Sequence, residues 1–181
     1  MPTPDDDAAG PAGSSTPGSS TTGSSTPEPR WLSADEQRAW RAFLAFGAQL
    51  DEALDRQLQR DAGMPHAYYQ VLAMLSEAPG RSLRMSELAR TTSSSPSRLS
   101  HAVARLEERG WVRRDKHPTD RRGAVAVLTD DGYAAVAAAA PGHVAAVREA
   151  LFDRLDEDRL AVLAEVFEDL AQEGGVGPDV G

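Results

Sequence analysis

The chain has 181 residues, with 19 Lys or Arg against 28 Asp or Glu and a net charge of −9. That length is enough for one domain with a sizeable core. The absence of cysteine excludes disulfides, thiolate zinc sites and thiol-based redox sensing, and no run of about 18 apolar residues exists to span a membrane; a cytoplasmic protein is expected.

Of the first 27 residues, 23 are Gly, Ser, Thr, Pro or Ala, and the others are Met1 and Asp5, Asp6 and Asp7. Nothing there is large and apolar, so residues 1–29 are expected to form a flexible tail rather than part of a core. The segment also lacks the basic start and apolar centre of a secretory signal. The glycine-rich end, residues 174–181, is expected to be loose in the same way.

Trp31 to about Arg60 predicts a long helix. Ser33 and Glu36 make a capping box, and Trp40, Phe43, Leu44, Gly47, Leu50, Leu54 and Leu58 follow at three- and four-residue steps. Gly63 and Pro65 punctuate its end. A second helix from about His66 to Glu77 carries Tyr69, Leu72 and Leu75 on its core side, and Pro79-Gly80 closes it. Met85 to Thr92 predicts a short third helix with Leu88 and Ala89 inward, followed by a tight polar turn at Thr92, Ser93 and Ser94. The fourth helix opens on Ser95, a good N-cap, with Pro96 at the first helical position. Leu99, Val103 and Leu106 form its inward stripe, and Gly110 ends it.

Two short extended runs come next, Trp111 to Lys116 and Ala124 to Leu128, where valines favour strand. The loop His117-Pro-Thr-Asp-Arg-Arg-Gly123 between them makes a β-hairpin with a basic tip. Thr129 is expected to cap a fifth helix striped by Tyr133, Val136, Ala140, Val144, Val147, Leu151 and Leu155, with Pro141 bending or breaking it. Asp156 is expected to cap a sixth, with Leu160, Leu163, Phe167 and Leu170 along one side. The fold class is therefore mainly α: six helices and a short hairpin, arranged as a winged helix-turn-helix.

Charge is distributed unevenly. Residues 81–122 hold 11 Lys and Arg against 5 Asp and Glu, so one basic segment sits inside an acidic molecule. Local field governs where a polyanion docks. A helix fits the major groove of B-DNA and offers its outward side chains to base edges. On the fourth helix these candidates are Ser95, Ser97, Arg98, Ser100, His101 and Arg105. From the hairpin, Arg113, Arg114 and Lys116 are candidate phosphate contacts. Arg121 and Arg122 suit a narrow minor groove, and Asp120 is read as pairing with one of them to shape the loop.

On these residues the sequence resembles the MarR family of bacterial regulators. The resemblance lies in Met85-Ser-Glu-Leu-Ala89, in Ser95 to Gly110 ending Arg-Leu-Glu-Glu-Arg-Gly, in Trp111-Val112, and in His117-Pro-Thr-Asp-Arg-Arg122 followed by Leu128-Thr129. It spans about Trp31 to Gln172 and implies one domain over residues 30–173. Within it, residues 30–64 and 130–173 supply dimerisation helices and residues 65–129 the DNA-binding part. It also implies an interlocked homodimer, a pseudo-palindromic operator in double-stranded DNA, a repressor's role, and release by a small ligand. Large apolar residues on the terminal helices, including Trp40, Phe43, Phe152 and Phe167, argue for the dimer independently, because a small winged helix core cannot cover them. Trp40, Phe43, His66, Tyr68 and Tyr69 are candidate pocket liners for a phenolic or other aromatic effector, although aromatic residues at helical spacing equally describe ordinary core. Two positions depart from the family pattern. His117 stands where the wing usually opens with aspartate, placing a group that titrates near neutral pH in the wing, and Arg84 stands where a capping Thr or Ser is common.

No cofactor is expected, and the four histidines show no metal-ligand spacing. An enzyme using a winged helix only to dimerise, such as a small-molecule methyltransferase, would need a glycine-rich cofactor fingerprint that is missing. A winged helix that binds only protein would need neither a basic wing tip nor an outward Arg98.

Overall fold

The computed structural model describes residues 29–116 and 123–174. The two expected tails, apart from residues 29 and 174 at their inner ends, and the wing tip His117 to Arg122 lie outside the described residues. The elements are α1 (Ala34–Ala62), α2 (His66–Glu77), β1 (Ser82–Arg84), α3 (Met85–Thr91), α4 (Pro96–Glu108), β2 (Val112–Lys116), β3 (Ala124–Leu128), α5 (Asp130–Ala150) and α6 (Glu157–Gly174).

Helix α1 starts three residues later than its apolar pattern suggested. Ser33 accepts from the Glu36 N–H at 3.2 Å, and Glu36 accepts from the Ser33 N–H at 2.7 Å, which fixes the start and leaves Trp31 outside. The helix stops at Gly63, whose φ of 61° is left-handed; its N–H and that of Met64 return to Gln59 and Leu58. Helix α2 has no capping side chain of its own. The Asp55 carboxylate of α1 accepts from the His66 N–H at 2.9 Å instead.

The sheet has three strands in the order β1-β3-β2, all antiparallel, where the sequence predicted only the hairpin. Ser82 pairs with Val127 and Arg84 with Val125; three residues are too few to show alternation. Of the bend or break expected at Pro141, the break does not occur, and α5 runs through it. Pro141 is exposed, so water can satisfy the carbonyl its missing N–H leaves open. Gly142 beside it lets α1 approach, since a Cβ there would sit 3.0 Å from Gln57 Nε2.

The core gathers Leu72 and Leu75 of α2, Leu88 of α3, Leu99, Val103 and Leu106 of α4, and Val112, Ala126 and Leu128 of the sheet. Leu58, Met64 and Val136 join it from α1, the turn after it and α5. Each buried leucine contributes about 2–3 kcal/mol. Burial within one chain stops at Leu54 of α1. Toward the N-terminus, Trp40, Phe43, Leu44 and Phe46 are exposed, as are Leu160, Val162, Val166, Phe167 and Leu170 of α6.

The tightest joint lies where α5 begins. Thr129 caps the helix by accepting from the Gly132 N–H at 3.0 Å and donates its hydroxyl to the Gly110 carbonyl at 2.7 Å. A Cβ on Gly132 would stand 2.1 Å from the Trp111 carbonyl oxygen and 2.8 Å from Leu128 Cδ1. The Trp111 backbone cannot yield without moving the start of β2. Gly132→Ala is therefore expected to lower unfolding stability by about 3 kcal/mol, measured as a reduced urea midpoint at fixed protein concentration.

Candidate nucleic-acid interface

Helices α3 and α4 meet through a turn that their own side chains close. The Thr92 N–H and hydroxyl both reach the Leu88 carbonyl, at 3.0 and 2.7 Å, and the Ser94 N–H reaches Ala89 at 2.9 Å. Ser93 takes a left-handed φ of 49° to make the reversal. Ser95 then accepts from the Arg98 N–H at 3.3 Å and starts α4.

Helical periodicity divides α4. Leu99, Ala102, Val103 and Leu106 are buried, while Ser95, Ser97, Arg98, Ser100, His101 and Arg105 are all exposed. Ser95 and Ser97 hydroxyls lie 3.3 Å apart at the helix start, where free N–H groups favour anions. Arg105 pairs with Glu108 at 2.8 Å along the surface, and the Glu108 carboxylate holds the Arg105 guanidinium pKa above its ordinary value. Arg98 enters no ion pair among the described residues.

In β2, Arg113 and Asp115 are paired on the outward face and Lys116 is exposed. Arg114 turns the other way and packs against α4. A groove of about 540 Å³ runs over the outer face of the sheet, lined by Ser82, Arg84, Glu87, Arg113, Lys116 and Val125 among others. Asp120, Arg121 and Arg122 lie outside the described residues.

The five aromatic candidates do not converge within one chain. Trp40 and Phe43 stack on each other with centroids 5.9 Å apart on the exposed half of α1. Tyr68 faces the Arg109 guanidinium at 5.8 Å, and Arg109 also lies over Trp111 at 4.9 Å and donates to the Gly63 carbonyl. His66 and Tyr69 instead meet His143 of α5, at 5.5 and 4.2 Å between centroids. His66 Nδ1 lies 2.9 Å from Asp51 Oδ1. His143, whose Nδ1 is buried without a hydrogen-bond partner among the described residues, completes this cluster. Nothing in local sequence links positions 66 and 143; only the packing of α2 on α5 does.

Burial, and then the nearby His66, lowers the pKa of His143 from 6.5. Burial, and then the charge of Glu77, raises that of Tyr69. Because the folded chain takes up the His143 proton less readily than the unfolded chain, stability is full above the unfolded pKa. It falls as pH drops from there through the lowered folded value. Thermal melts from about pH 7.5 to about pH 5 should show this loss, and His143→Gln should remove part of it while leaving the neutral-pH midpoint less affected.

A family model described as MarR family matches residues 62–123. The fold matches the crystal structure of Sco3205, a MarR family transcriptional regulator from Streptomyces coelicolor in complex with DNA. The identity is 53% over 84% of this chain and 94% of that one, with a TM-score of 0.76. AbsC, a MarR family transcriptional regulator from the same organism, matches at 40% identity over 80% of this chain and 97% of that one, with a TM-score of 0.74. The HTH-type transcriptional repressor YetL of Bacillus subtilis (strain 168) is 25% identical over 112 residues, 60% of this chain and 67% of its own length. From its winged helix-turn-helix and from two relatives at 53% and 40% identity, matched over 94% and 97% of their length, the chain belongs to the MarR family of transcriptional regulators.

Proposed function

We propose that this protein is a sequence-specific regulator that binds double-stranded DNA as a homodimer and represses transcription from a pseudo-palindromic operator. The outward face of α4 carries the reading. Four hydrogen-bonding side chains, Ser97, Arg98, Ser100 and His101, are exposed on it beside the cationic strand β2, while its apolar face is fully committed to the core. The structure of Sco3205 with DNA supports the same use of this fold here, and the repressor YetL supports the sign of regulation. Residues 65–129 form the reading part, and residues 30–64 and 130–173 hold two copies together. Helix α6 supports that division, because among its residues 157–172 only Leu163 and Ala171 are even half-buried in one chain.

A small aromatic effector would act by favouring dimers whose reading helices are wrongly spaced, and only to the extent of its difference in affinity between the two states. Of the five aromatic candidates, His66 and Tyr69 support such a role best, since through His143 they join the reading part to α5.

Selection of bound fragments from random DNA, followed by sequencing, tests the proposal. A two-fold symmetric site with half-sites about one helical turn apart is expected; affinity that never exceeds that for unrelated duplex would remove the reading. Arg98→Ala should cost about 1–3 kcal/mol at the selected site and relax the preference at one base pair. For the dimer, sedimentation of the wild type at micromolar concentration should give a two-chain species, and Phe167→Glu with Leu170→Glu should shift it to single chains.

A further inference from the structure

Alternation along β2 puts Arg114 on the same side as Val112, toward α4, and sends Arg113 and Asp115 to the other side. Three interactions follow. The Arg114 backbone N–H donates to Glu107 Oε1 at 2.9 Å, its Nη2 donates to the Ser100 carbonyl at 2.6 Å, and its Nε lies 3.3 Å from Glu107 Oε2. Both side chains are only 32% exposed. Ser100 and Glu107 stand seven residues apart, about 10 Å along the helix axis. One arginine thus bridges two turns of the reading helix and ties them to the first strand of the wing.

Its neighbours are placed differently. Lys116 is exposed and enters no ion pair among the described residues, and Arg113 is paired only along its own strand. With Nη2 and Nε directed into α4, only the Nη1 side of this guanidinium is left to reach a phosphate, whereas the whole ammonium of Lys116 is. We propose that Arg114 is a positioning residue: with Glu107 it fixes the angle between the recognition helix and the wing, and thereby sets sequence selectivity. This rests on the DNA-binding reading above. The helix and the wing must enter adjacent grooves whose separation the duplex dictates. A joint fixed beforehand avoids ordering that angle during binding. Binding to unrelated DNA, carried by phosphate contacts, does not require that match.

The test is equilibrium binding of the full chain to its selected duplex and to a scrambled one across a salt series. The variants are Glu107→Ala, Arg114→Ala, Arg114→Lys and the Glu107→Ala/Arg114→Ala pair, with Lys116→Ala as the phosphate control and a melting curve for each. Glu107→Ala removes a negative charge beside a polyanion, so charge alone would tighten binding. The positioning role makes it weaken the selected site about tenfold, with scrambled duplex within about twofold and an unchanged salt slope. Arg114→Ala should do the same, the pair should be no worse than the weaker single variant, and Arg114→Lys should recover only part, since one ammonium cannot serve both acceptors. Lys116→Ala should lower the slope by about one.

Equal or tighter binding by Glu107→Ala overturns the proposal. So does an Arg114→Ala variant that lowers the slope by about one and weakens both duplexes alike. A wild-type chain with no sequence preference removes the DNA reading itself, and this inference with it. A wild type that selects a site while the Glu107 and Arg114 variants behave as simple charge changes removes this inference alone.

Discussion

The approach of the first turn of α5 to the backbone at Gly110 and Trp111 governs how the two parts of this molecule relate. Thr129 bonds at once to the exit of α4, through the Gly110 carbonyl, and to the start of α5, through the Gly132 N–H. Its own N–H donates to the Trp111 carbonyl at 3.0 Å. No side chain at position 132 fits between them. The end of the reading helix, the base of the wing and the start of the long helix therefore meet at one point with little freedom. A rotation of α5 must carry the reading helix with it. A signal that reached α5, at His143 or along its exposed side, would meet this joint rather than a flexible linker.

The rest of the architecture depends on what one chain cannot bury. Helical stability in water comes mainly from covering an amphipathic face. Helix α6 carries Leu160, Val166, Phe167 and Leu170, all exposed, and it has no covered face in a single copy. The N-terminal half of α1 is in the same condition, whereas its C-terminal half ends in the core at Leu54 and Leu58. A lone chain would hold these helices at a large hydrophobic cost. A second copy offers an identical set of uncovered surfaces, and a two-fold arrangement is what a two-fold operator requires. In the proposed pair, the same exposed surfaces that make the monomer incomplete would set the separation of the two reading helices.

Sequence made the reading head legible where one residue type performs one local task. Ser33 with Glu36, Ser95 with Pro96, and the spacing of Leu99, Val103 and Leu106 each state a boundary or a face, and the structure follows them. Sequence failed where the outcome depended on partners far along the chain. Strand β1 exists because β3 offers it an edge, and three residues show no pattern alone. Pro141 does not break α5, because the helix is held against α1 on one side and wetted on the other. Arg114 reads as one more cation in a basic run, and only strand alternation against α4 separates it from Arg113. The aromatic residues were grouped by type, yet packing sorts them into three separate places: Trp40 with Phe43, Tyr68 with Arg109, and His66 with Tyr69 and His143.

The charge pattern gains a different meaning once its pairs are known. Residues 81–122 are rich in arginine, but Arg105 is paired with Glu108, Arg113 with Asp115 and Arg114 with Glu107. Arg81 pairs with Asp130 and lies 3.8 Å over the Tyr133 ring, and Arg109 is held between Tyr68 and Trp111. Much of the apparent positive field is therefore internal, joining strand to helix and reading head to α5. Within that segment, Arg98 and Lys116 are exposed and enter no ion pair among the described residues. Since binding to unrelated DNA scales with the number of phosphates neutralised, a molecule built this way, acidic elsewhere, is expected to hold bulk DNA weakly. Discrimination then depends less on the total of positive charge than on whether α4 and the wing arrive at their grooves already at the correct angle.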